Sequence, residues 1–118
     1  MTDFFATLLQ KIQDHATYGP AMRAAVDADR VLALNYHSHG DPGSWCVSIC
    51  ALQRDPTRLL QIGVPELEEL VHIRGIGKSA EECIPFCSAF ADVLREHYRL
   101  TEPPRPFLNG QPVSAETG

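Results

Sequence analysis

Residues 64–84, VPELEELVHIRGIGKSAEECI, constrain the fold more than any other stretch, because they join two apolar segments through the chain's one Gly-x-Gly, at Gly75 and Gly77. Glycine reaches left-handed backbone conformations without a steric penalty, so a pair at this spacing marks a change of direction. Before the pair, LVHIR reads as a strand. After it, Ser79 stands where a helix N-cap is needed, and Glu82, three residues on, completes the spacing of a capping box. The stretch therefore predicts a strand, a turn and a helix. Two glycines with Arg74, Lys78 and Ser79 just ahead of a helix N-terminus also favour an anion, and Arg74, Gly75, Gly77, Lys78 and Ser79 form a candidate anion or phosphate site. A nucleotide-type phosphate loop is excluded, since G-x-x-x-x-G-K-[ST] requires glycine where the chain has His72.

The same residues resemble a helix-hairpin-helix. Leu67, Leu70, Ile73, Gly75-Ile76-Gly77 and Ile84 fall at that family's apolar and glycine positions, and Pro65 would open the first helix. The resemblance implies nucleic-acid binding through the turn at 67–84, with backbone amides and Lys78 meeting phosphates. Charge ranks this reading second. The net charge of -5 and isoelectric point near 5.4 oppose a broad phosphate-neutralising surface.

On either side of this stretch the periodicity is clear. Phe4, Phe5, Leu8, Leu9, Ile12 and Ala16 recur at helical spacing over 3–18, and Gly19-Pro20 ends that helix and opens a second. Segments 30–36, 45–52 and 58–64 read as antiparallel strands, joined by polar turns rich in Gly, Pro, Asp and Ser; 70–74 supplies a fourth. In 45–52 both alternating faces are apolar or nearly so, which fits a central strand covered on both sides or one with an interface on one of them. Phe86, Ala89, Phe90, Val93 and Leu94 give the C-terminal helix its buried stripe, with Pro85 in its first turn. After Leu100, TEPPRPFLNGQPVSAETG reads as an extended tail on which Phe107-Leu108 could dock. The expected fold is α+β: an N-terminal helix or helix pair and a long C-terminal helix packed on a three- or four-stranded antiparallel sheet, with a single domain over 1–100 and a tail over 101–118.

Chemistry-bearing residues are scattered. The cysteines pair as Cys46/Cys50 and Cys83/Cys87 within apolar segments; on a strand the first pair stands about 13 Å apart, too far for a disulfide, so buried thiols are expected. His37-Ser38-His39-Gly40-Asp41 resembles the metal-binding loop of the metallo-β-lactamase superfamily. That resemblance implies an ion on His37 and His39, with Asp41, His72 or His97 as third ligand, but the chain continues with Pro42 where the family has histidine, and no resident metal or cofactor is expected. No nucleophile motif is present. A binding protein rather than an enzyme follows: a small acidic cytoplasmic domain acting by protein-protein contact, as an inhibitor, immunity protein, chaperone or adaptor does. Its partner would be a protein, suitably a basic one, or a second copy. Tyr36, His37, His39 and Trp45 are the candidate contact residues, because aromatic side chains dominate interface centres. No membrane span is expected, and a phosphate or small-molecule binder or enzyme using the Gly75–Ser79 turn stands as the remaining alternative.

Overall fold

A computed structural model of the chain describes residues 3–38, 44–52 and 67–113. Helices α1 (Asp3–Asp14) and α2 (Tyr18–Asp27) lead into strands β1 (Leu32–Ser38), β2 (Trp45–Leu52) and β3 (Leu67–Gly77). A 3-10 turn, Ala80–Glu82, then enters helix α3 (Cys83–Tyr98), followed by β4 (Arg105–Leu108) and β5 (Gln111–Pro112). The class is α+β, as expected, but the sheet has five strands in the order β3-β2-β1-β4-β5, and β1 pairs with β4 in parallel. This corrects the purely antiparallel sheet of three or four strands. Chain direction is the reason. The antiparallel meander β1-β2-β3 ends running the same way as β1, α3 returns the chain across the sheet, and β4 must then run beside β1 in the same sense.

The two extra strands come from 105–112, within the segment read as a tail. Asn109 and Gly110 both take positive φ, 50° and 82°, the geometry of a two-residue hairpin turn, and they bring Leu108 opposite Gln111. The expected strand at 58–64 lies outside the described residues.

The described helices pack on one face of the sheet. Leu9, Ile12, Met22, Phe90 and Leu94 meet Leu34, Tyr36, Val47, Ile49 and Val71 in one buried cluster. Gly19-Pro20 lies within the first turn of α2, where the missing proline N–H has no intrahelical acceptor to leave unpaired. Pro85 occupies the same kind of position in α3, as expected. The other face of the sheet carries Ala33, Leu52 and Phe107 with Cys46, Ser48 and Cys50, all buried. The central strand is thus covered on both sides, and the four cysteines are free and buried.

Burial sets a pH limit on this core. Loss of water around the Tyr36 phenol, aided by Glu82, pushes its pKa up to about 12, and burial with the Glu69 carboxylate nearby pushes the Cys50 thiol up to about 12. Burial also raises Cys87. Each group folds in its protonated form, so its contribution is complete below the unfolded values, 9.0 for the thiol and 10.0 for the phenol, and is lost as pH climbs towards 12. The urea midpoint is expected to hold level to about pH 9 and then fall; a midpoint unchanged up to pH 12 would contradict the assignment.

Candidate functional site

The chemically richest place on the described surface lies on the sheet face away from the helices. Ser48 on β2 is directly opposite His72 on β3, and His37 lies diagonally across on β1. Strand alternation would send Glu69 and His72, three residues apart, to opposite faces. A register shift between Ile49 and Cys50 inserts Leu70 as an extra residue in β3, so Glu69 faces Cys50 while His72 faces Ser48, and both carboxylate and imidazole emerge on the same side.

Four polar atoms converge there. Ser48 Oγ donates to Glu69 Oε2 at 2.5 Å and lies 3.0 Å from His37 Nε2 and 3.3 Å from His72 Nδ1. His72 Nδ1 is also 3.3 Å from Glu69 Oε2, and the two imidazole centroids are 5.3 Å apart. Ser48 is 1% exposed, which bars it from attacking a substrate of any size. Glu69 is the opposite case, with a side chain 55% exposed.

A second feature lies on the helix side. Phe4, Phe5, Phe86, Tyr36 and Trp45 form an unbroken row of rings with successive centroids 5.2, 5.5, 6.1 and 5.1 Å apart, and Phe90 stacks beneath Phe5. The row begins at the surface. Phe4, read from the sequence as part of the buried stripe of α1, is 53% exposed, the large apolar side chain left out of the core among the described residues. A shallow groove of about 320 Å³ runs beside it, lined by Phe4, Thr7, Leu8 and Lys11.

The residues singled out in the sequence are dispersed by this arrangement. Tyr36 is fully buried rather than displayed on a loop, with its hydroxyl donating to the Ser79 carbonyl at 3.0 Å. Trp45 is half-buried against it. His37 joins the polar cluster, while His39 and Asp41 lie outside the described residues. In the glycine stretch, Arg74 and Lys78 are exposed and Gly75 takes φ +68°. The amides offered to an anion are already engaged: Lys78 N and Ser79 N donate to Glu82 Oε2 at 2.7 and 3.1 Å. Glu82 thus plays its capping-box part and stands where a phosphate would go. The helix-hairpin-helix is corrected outright, because 67–77 is a strand and its first helix does not exist.

Against known proteins, the chain matches no family model, no curated protein and no solved structure at a significant level. Its function is therefore argued from its own residues. No helix among the described residues is long and apolar enough to cross a membrane. The contributions of Glu69, Ser48 and the exposed Phe4 had no sequence signal beyond their presence on strands or in an apolar helical stripe.

Proposed function

We propose that the protein is a small acidic binding domain that acts by contact with a protein partner, in the manner of an inhibitor, immunity protein, chaperone or adaptor. The observation that supports this reading is the row of rings running from exposed Phe4 through Phe5 and Phe86 to the buried Tyr36. Leaving about half of this phenylalanine in water forgoes on the order of 1 kcal/mol of burial. A ring backed by a rigid aromatic layer is what an interface anchor needs, because the surface is preorganised before the partner arrives. The net charge of -5 suits a partner whose rim is basic, by steering the encounter.

Phe4→Ser is the direct test. Because about half of the side chain is already in water, the variant should lose no more than about 1 kcal/mol of stability in urea denaturation. A recombinant partner identified by affinity capture should lose at least tenfold in affinity for it, about 1.4 kcal/mol. If instead a second copy is the partner, sedimentation should show wild-type dimers and monomeric Phe4→Ser. Equal affinity and equal association state for the two proteins would remove the proposal.

A further inference from the structure

We propose that His37, Glu69 and His72 form a binding site for one divalent first-row transition ion of the zinc class, independent of the aromatic surface. One ring nitrogen from each of His37 and His72 and a Glu69 carboxylate oxygen all lie within 4.8 Å of one another. Ligands held about 2.0–2.2 Å from a tetrahedral ion stand roughly 3.3–3.5 Å apart. The His72–Glu69 pair already has that separation, at 3.3 Å. His37 has to close by no more than about 1.5 Å to complete three corners of a tetrahedron, within reach of side-chain rotation.

The donor set determines the class of ion. Two imidazoles and a carboxylate suit zinc and its first-row neighbours, whereas calcium and magnesium call for oxygen ligands throughout. Three protein ligands leave the fourth position to water, and the exposure of Glu69 and His72, 55% and 23% of their side chains, opens that position to solvent. Ser48 acts as a positioning residue. Its hydroxyl donates to Glu69 Oε2 and so orients that carboxylate, while its contacts to His37 Nε2 and His72 Nδ1 give way when those nitrogens turn their lone pairs to the ion.

A purely structural hydrogen-bond network is the competing account of the same contacts. His72 Nδ1–H and the Ser48 hydroxyl would both donate to Glu69, and His37 Nε2–H would donate to Ser48. Two observations favour the ion. The strand is bulged at Leu70, which brings Glu69 beside His72, and the donors converge from two strands flanking a buried serine. Neither is needed for a surface polar pair.

The test uses full-length, tag-free protein stripped with chelator and titrated with cobalt(II) and zinc(II). One equivalent should bind with a cobalt ligand-field spectrum lacking a thiolate charge-transfer band, and zinc should raise the melting temperature. His37→Gln, His72→Gln and Glu69→Gln should each lower affinity at least about tenfold. Glu69→Gln is the variant least able to disturb folding, since the side chain is largely exposed and the amide keeps its shape. The assignment is overturned by no binding at micromolar ion, by wild-type affinity in folded Glu69→Gln, or by a thiolate band placing the ion on cysteines. None of these results bears on Phe4→Ser, so the two proposals fail separately.

Discussion

Gly77→Ala is expected to destabilise the protein by about 3 kcal/mol, although it adds a single methyl group at the end of a strand. A Cβ built at Gly77 would stand 2.0 Å from the Tyr36 hydroxyl oxygen and 3.0 Å from its ring carbon Cζ. The ring has little room to retreat. Tyr36 is fully buried, stacks on Trp45 at 5.1 Å, leans on Phe86 at 6.1 Å and is tied by its hydroxyl to the Ser79 carbonyl. Overpacking of this kind costs roughly 1–3 kcal/mol, and losing the hydrogen bond adds about 1. Urea denaturation should show a lower midpoint with an unchanged slope. Removing the hydroxyl relieves the closest contact, so Gly77→Ala should cost less in a Tyr36→Phe background than in the wild type; additive effects of the two changes would show that the clash is not the cause.

Phe90→Ala should be more damaging still, at about 3–5 kcal/mol. Phe90 is fully buried on α3, stacked on Phe5 at 5.8 Å and in contact with Phe86 at 5.7 Å, so truncation opens a cavity where α1 and α3 meet. A chain of 118 residues commands roughly 6–18 kcal/mol in total, and the loss is a large share of that. The melting temperature should drop by on the order of 15 °C. Phe90→Leu, which keeps most of the volume, should drop it by less than half as much. Equal losses for the two variants would mean that ring packing, rather than cavity volume, carries the energy. Phe4→Ser provides the contrast, since Phe4 is half exposed at the end of the aromatic row whereas Phe90 is fully buried beneath it.

Much of the local structure was readable from residue order. The stripe of α1, Pro85 in the first turn of α3 and the pairing of Ser79 with Glu82 each rest on neighbours within one helical turn, where backbone geometry leaves few alternatives. The two-sided apolar pattern of 45–52 allowed a central strand covered on both sides, and the strand there is buried along nearly its whole length. The hairpin at Asn109-Gly110 carried a readable signal as well, an Asn-Gly pair between Phe107-Leu108 and Gln111-Pro112, but the surrounding prolines suggested an extended tail. Its strands are short, and β4 is held by its parallel partner β1, a contact more than sixty residues away along the chain.

The candidate ion site was legible only in part. His37 and His72 stand out by type, yet a regular strand would turn Glu69 away from His72, and only the extra residue at Leu70 reverses that. At the glycine turn the structure adds a contact that the sequence did not specify, since Lys78 N as well as Ser79 N donates to Glu82 Oε2.

By itself the order of residues indicated the main helices, the strands before the glycine turn, most of their inward faces and that the thiols are buried, because these follow from periodicity, caps and bond reach over a few residues. The strands at 105–112 and the exposure of Phe4 did not follow. Only the tertiary structure decided that β4 lies parallel to β1, that Tyr36 occupies the space a side chain at Gly77 would need, and that two histidines and a glutamate from separate strands converge. Those outcomes depend on strand register and chain direction. Both are set by the competition of the whole core for burial, where a slip of one residue exchanges the two faces of a strand.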